Sequence, residues 1–492
     1  MGLLAAGFQV PLVDTSSKVI LVVDDTVAGP LAPEIERLCD DLAGDGYEVI
    51  LLLVGRQDAP ESVRARIKAA WAAEPERVKT VFLLGHVPVP YSGDLSPDGH
   101  EFPRPGSPPH RGAWPADAYY GDMRGAWTDH EVDTRKNPYP PSRSENQNIP
   151  GDGKLDPSTL PLGRVDLEVG RVDLARMPAF SPLTEIDLLR RYLDKDHHFR
   201  HGRLAAPARG LVDDHFGYGR GPVNSFTEGY ATGAFRTLSA LFGSDRVTEG
   251  DLLSILEKEA FLWAHACGPG RFDHCRGVGG TRDFAKRDPK AIFTTLFGSY
   301  FGDWDAEDCL LRAPLATSYG LVCAWSGAPD WCFHPMALGA TTGFCTRLTQ
   351  HMERKNDATL VLSRPGASTH VALMGDPTLR LHPVALPKDL LATVAKRSVK
   401  LAWTAPHQPV AGVHVFRGPS RRGPFHRLTP SPSKSTHFLD PSPPEAERHY
   451  LVRAVALCTT PSGSFFAMSR GIAAEARESA MIDDSSVEEP HR

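Results

Sequence analysis

The sequence predicts an α/β protein: a parallel sheet sandwiched by helices over residues 18–383, followed by a small all-β sandwich over 386–476. Three observations carry this. Strand-like and helix-like segments alternate through the first part of the chain, which is the rhythm of βαβ units. The strands there are continuous apolar runs rich in Val, Ile and Leu, as expected of strands buried on both faces. After residue 383 the helices stop, and short strands recur at regular spacing between turns rich in Pro, Ser and Gly.

Taken in order, "KVILVVDD" (18–25) is a β-branched run ending in acids, and "PLAPEIERLCDDLAGDG" (30–46) has helical spacing with a glycine stop. "YEVILLLVG" (47–55) reads as a buried strand, "PESVRARIKAAWAAEPE" (60–76) as a helix and "VKTVFLLGHVPVP" (78–90) as a strand. No GxGxxG follows any of these strands, so a dinucleotide site is not expected. Residues 86–160 are rich in Pro, Gly, His and Asp, a long insertion whose aromatic content predicts an ordered functional loop. The alternation resumes with strand 167–174, helix 182–202, strand 208–214, helices 225–242 and 249–258, strand 259–268 and strand 291–300. Helices are expected over 313–327 and 335–352, and "HVALMGDPTLRLHP" (370–383) closes the domain. In the sandwich, Trp403 in an early strand and Tyr450 in a late one fit an Ig-like or fibronectin type III core. Residues 1–17 form an N-terminal extension and 477–492 a polar, disordered tail. No internal repeat is visible.

The 492 residues carry a net charge of -6, which gives no general attraction to nucleic acid or anionic lipid. No apolar run approaches the roughly 18–20 residues that span a bilayer. The start, "MGLLAAGFQVPLVDTSSK", lacks the basic and long apolar regions of a signal peptide. Eight cysteines are spread without a CxxC pair, which argues against a zinc ribbon or a disulfide scaffold and for buried thiols.

Several segments carry candidate chemistry. In "FTTLFGSYFGDWD" a strand stops at Gly298-Ser299, a way of presenting a hydroxyl to substrate. The acids that follow, Asp303 first among them, would bind a basic substrate group, orient a histidine, ligate a metal or open a helix. In "NQNIPGDGKLD", Asn146, Asn148, Asp152 and Asp156 offer oxygen ligands around a glycine turn, which suits a structural Ca2+, although the register is not that of an EF-hand. Histidines 86, 100 and 110 punctuate the insertion together with Asp98, a borderline-metal set whose spacing matches no zinc motif. The "DHHFRHG" cluster (196–202) suits the C-terminus of a helix.

The order of "VFLLG" (81–85), "PADAYYGDM" (115–123), "LEVGRVDL" (167–174), "HACGPG" (265–270), "FGSYFGDW" (297–304) and "LMGDPTLRL" (373–381) resembles the gingipain-type cysteine peptidases. The resemblance implies a caspase-like α/β fold followed by a fibronectin type III-like module. It also implies peptide-bond hydrolysis through an acyl-enzyme, with no catalytic cofactor and a protein or peptide as substrate. The family places a histidine after the first of the two strands at the site and a nucleophilic cysteine after the second. Here Cys267 stands where that histidine is expected, with His265 two residues earlier, and Ser299 stands where the cysteine is expected. The family's substrate-pocket aspartate maps onto Asp117.

These departures leave alternatives open. Ser299 is the nucleophile with His265 or His274 as base, or Cys267 is the nucleophile and Ser299 a polar neighbour. Backbone N–H groups at Gly268 or Gly298 would hold an oxyanion. The alternative function is a catalytically inactive scaffold, a pseudoenzyme whose sandwich binds protein or glycan. An adhesive module with a Ca2+ loop leans toward an extracytoplasmic setting.

Overall fold

The computed structural model describes residues 17–98, 100, 110–138, 140–216, 224–327, 332–351 and 368–478. All but the last residue of the expected N-terminal extension and all but the start of the C-terminal tail lie outside them. The chain divides into two compact units, one built mainly from residues 49–383 with the N-terminal strand, the other mainly from residues 384–457 and 466 onward. Among the described residues no helix is long and apolar enough to cross a membrane.

The first unit holds a 10-stranded sheet. Its strands are β1 (Lys18–Asp24), β2 (Glu48–Val54), β3 (Val78–Leu84), β4 (Glu168–Val172), β5 (Gly210–Asp214), β6 (Val247–Glu249), β7 (Phe261–Cys267), β8 (Ala291–Phe297), β9 (Val322–Trp325) and β10 (Ala372–Gly375). They lie in the order β2-β1-β3-β4-β10-β9-β8-β7-β5-β6. Every residue of β1, β7 and β8 is buried, which accounts for their unbroken apolar character. On one side of the first four strands a core of Ile20, Val22, Val63, Ile67, Val81, Leu83 and Tyr120 is sealed from water.

The sheet is built from two halves of one topology. In β2-β1-β3-β4 the first strand in the chain is flanked by the second on one side and the third on the other, with the fourth beyond the third. In β6-β5-β7-β8 the same order recurs. The hydrogen bonds at the tips match as well: Gly85 N–H donates to Val172 O at 2.9 Å, and Gly268 N–H donates to Phe297 O at 3.1 Å. This duplication is absent from the sequence because a repeated topology needs only a repeated pattern of burial. Strand β10 pairs parallel with β4 but antiparallel with β9, so the two halves run in opposite directions. Their carboxyl ends therefore open on opposite edges of the sheet.

Local chemistry explains the elements around it. The helix Glu185–Arg200 starts at Thr184, whose hydroxyl and backbone exchange hydrogen bonds with Asp187 in a capping box. Its last residue, Arg200, reaches Asp376 at 2.5 Å and Thr378 at 2.7 Å, and Arg200 and Asp376 are buried. The "MGDPTLR" ending is thus a structural lock between helix and β10. The helix expected over 313–327 is replaced by a short helix, Ala313–Ala316, and by β9. A brief apolar run such as "LVCAW" fits either state, and the sheet claims it. The helix expected over 335–352 is broken at Gly339, whose φ of 87° ends a 3-10 turn before the helix Thr342–His351. All eight cysteines are free thiols, and seven are buried.

The second unit contains two sheets. One orders His437–Asp440, Ser398–Thr404, Lys388–Ala395 and Arg477–Glu478; in the other, His449–Thr460 pairs with Gly412–Gly418 and Ile472–Glu475. Trp403, Val415, Tyr450 and Val452 are buried, and Tyr450 Oη donates to Asp440 at 2.9 Å.

Candidate active site

Strands β7 and β8 are parallel neighbours, in register up to Cys267 opposite Phe297. Both chains then turn through glycine. At Gly270 an added Cβ would come within 2.6 Å of Ser299 O and 2.7 Å of Ser299 N, so only glycine lets the two tips touch. Gly270→Ala is accordingly expected to destabilise the full chain by about 1–3 kcal/mol, read as a lower thermal melting temperature. The residue after Ser299, Tyr300, holds φ at 69°, a left-handed conformation that costs a non-glycine residue roughly 1–3 kcal/mol and recurs at functional sites. Ser299 itself is half-buried at this turn.

The imidazole at Ser299 belongs to His100, with Nε2 3.4 Å from Oγ. It arrives on the long insertion, which leaves β3 at one edge of the sheet and reaches the tips of β7 and β8 at the other. A network surrounds the pair. Asp98 accepts from the His100 backbone N–H at 3.4 Å and from the Tyr300 N–H at 3.2 Å. Its Oδ2 also lies 2.5 Å from His110 Nδ1. The His110 ring stacks on His100 with centroids 4.3 Å apart and planes at 5°, and lies 3.8 Å from the Tyr300 ring. Asp98 and His110 are each 3% exposed, so the half-exposed His100 and Ser299 rest on a buried base.

The other residues expected at the site take different roles. Cys267 is sealed in the sheet and donates to Asp214 Oδ1 at 3.2 Å. Burial first, and Asp214 second, push its thiol well above the usual range, which is the opposite of an activated thiolate. His265 is fully buried, its Nδ1 2.9 Å from Thr295 Oγ1, and burial lowers its pKa to about 4. It is a neutral core residue. His274 is exposed in a small three-stranded sheet, paired with Arg271 and Gly280. The N–H of Gly268 is already given to Phe297 O, so it is not an oxyanion donor.

Asp117 does not present a charge to substrate. Both its oxygens are held by the buried Arg171, at 2.8 Å from Nε and 2.7 Å from Nη2. Asp303 is equally withdrawn: it is fully buried with Arg143 Nε 3.0 Å from Oδ2. The four residues expected to hold Ca2+ are each hydrogen-bonded to the protein. Asp156 accepts three backbone N–H groups, of His130, Glu131 and Val132. Asp152 bonds Lys154, and the amides of Asn146 and Asn148 donate to the carbonyls of Ala113 and Leu155. His86 leaves the insertion's other histidines and pairs with Asp173 at 2.8 Å, at the tip of the first half.

Asp303 has a consequence for stability. Burial raises its carboxyl to about 7, against the pull of Arg143. The unfolded chain loses this proton near pH 4, so between about pH 4 and 7 the folded chain binds more protons. The stability that this group contributes is full below that window and declines as pH rises through about 7. Asp303→Asn is expected to remove a decline of up to roughly 4 kcal/mol, seen as a flatter dependence of melting temperature on pH.

The sequence alone marks His100 and Asp98 as possible metal ligands and does not connect them with Ser299. The available signal was an insertion carrying His100 and His110 in a domain whose expected base position held a cysteine. No family model matches the chain, and no curated protein does. Among solved structures it is similar to the Arg-specific cysteine proteinase gingipain R, at 10% identity with a TM-score of 0.51, covering 95% of this chain and 100% of that one. It is also similar to the complex of pro- and mature domains of RgpB from Porphyromonas gingivalis, at 10% identity and a TM-score of 0.52, covering 94% and 100%. At that identity the likeness speaks for fold: the chain has a caspase/gingipain-like fold, a large and mostly parallel sheet flanked by helices with further antiparallel sheets at its C-terminus.

Proposed function

We propose that this chain is a hydrolase of peptide bonds on a cysteine-peptidase-like fold, with Ser299 as nucleophile and His100 as general base. The observation that carries the reading is the approach of His100 Nε2 to Ser299 Oγ, 3.4 Å, at the strand tip where the resemblance expects a nucleophile. In the first step His100 takes the Oγ proton while Oγ bonds to the scissile carbonyl carbon. The proton then passes to the departing amine as the C–N bond breaks, leaving an acyl-Ser299 ester. Water, deprotonated by the same imidazole, bonds to the ester carbon; the C–Oγ bond breaks, the imidazolium returns its proton to Oγ and the acid leaves. Asp98 and His110 act behind His100, holding its ring by stacking and its backbone by a hydrogen bond. Selection of Arg or Lys through Asp117 is no part of this reading, because Arg171 neutralises that carboxylate.

A second reading has its own observation. Cys267 and His265, at and beside the position where the resemblance expects the base, are core residues. An inactive scaffold would look like this, with the second unit, read as a fibronectin type III-like sandwich, attaching to protein or glycan. A fluorophosphonate probe on the full chain separates the two. An adduct mapped to Ser299 is the expected result. Folded protein that stays unlabelled at Ser299 decides for the scaffold.

A further inference from the structure

We infer that Asp98, His100 and His110 form a site for a divalent transition metal, Zn2+ by its ligand chemistry, and that the bound ion silences Ser299. The inference rests on the reading of His100 as the base. One ligand atom from each of the three residues lies within 4.8 Å of the others. Two imidazoles and a carboxylate are a borderline set that favours Zn2+ over the all-oxygen ions Ca2+ and Mg2+. Zinc bonds of about 2.0–2.2 Å hold ligand atoms roughly 3–3.5 Å apart, so binding would draw the His100 ring inward and part Asp98 from His110. Asp98 and His110 are buried, with His110 Nδ1 2.5 Å from Asp98 Oδ2, and a cation would compete for the same atoms. His100 is half-exposed, stacked on His110 and beside Ser299. Three protein ligands leave a fourth position, and Ser299 borders it, 3.4 Å from His100 Nε2. A nitrogen lone pair given to the metal is not available to a serine proton. The ion and the catalytic step therefore compete for one imidazole.

Chelator-treated full chain, titrated with Co2+ as a visible probe and then with Zn2+, tests this. The expected result is one Co2+ per chain with d–d absorption of a low-coordinate site, displaced by Zn2+. His100→Gln, which leaves the buried pair intact, and Asp98→Asn should each weaken binding at least about tenfold. Ser299→Ala should keep the affinity. With metal bound, fluorophosphonate labelling of wild-type Ser299 should fall in proportion to occupancy. No stoichiometric binding, unchanged affinity in His100→Gln, or undiminished labelling of the metal-loaded chain overturns the inference. Failure of the hydrolase reading is distinct: the metal-free wild type would then take no label, whatever it binds.

Discussion

Ser299→Ala is expected to abolish fluorophosphonate labelling and to lower peptide hydrolysis on the order of 10^4- to 10^6-fold, with folding unchanged. The size follows from what is lost: without Oγ no acyl-enzyme forms, and only binding and positioning remain. His100→Ala should cost nearly as much, and the double variant little more than either, because nucleophile and base act as one unit. Cys267→Ala should leave activity untouched, since its thiol is buried and held by Asp214. Ser299→Cys is the more searching change. A thiol ionises near pH 8.5, far more readily than a hydroxyl, and would sit beside the same imidazole. That variant should be alkylated by iodoacetamide at position 299, where the wild type is not. If Ser299→Ala retains hydrolysis, or if Cys267→Ala removes it, the assignment of the nucleophile fails.

The fold was legible because burial on both faces writes itself into continuous runs such as "VILVV" and "AIFTTLF", whatever the rest of the chain does. The strand tips were legible for the same reason, since Gly268 and Gly298 end such runs. The partner of Ser299 was not. His100 lies 199 residues away in sequence, on a segment without periodicity, and nothing local says which edge of the sheet an insertion will cross to. Motif order pointed instead to Cys267 and His265, which occupy the expected positions with side chains the core has absorbed. The reversal of the two halves was also hidden. It depends on β10 turning against β9, and an apolar strand reads alike in either direction.

Asp117→Ala is expected to destabilise the chain by about 3–5 kcal/mol, and to do so without a specific change in substrate preference. Arg171 is fully buried, and its guanidinium gives two hydrogen bonds to Asp117, one to Val87 O at 2.6 Å, and its face to Trp304 at 4.8 Å. The remaining carboxylate, Asp173, is 3.9 Å away and already engaged by His86 and Arg312. Removing Asp117 therefore strands a cation that cannot lose its proton in a buried site. The same logic predicts partial recovery in Asp117→Asn with Arg171→Met, because deleting both charges leaves nothing unpaired and Met fills much of the arginine's volume. A thermal melt of the two variants reads both effects. Were Asp117 instead a pocket aspartate facing substrate, Asp117→Ala would melt like the wild type and raise KM for Arg and Lys peptides alone. An unchanged melting temperature would return the residue to substrate recognition and remove Arg171 as its partner.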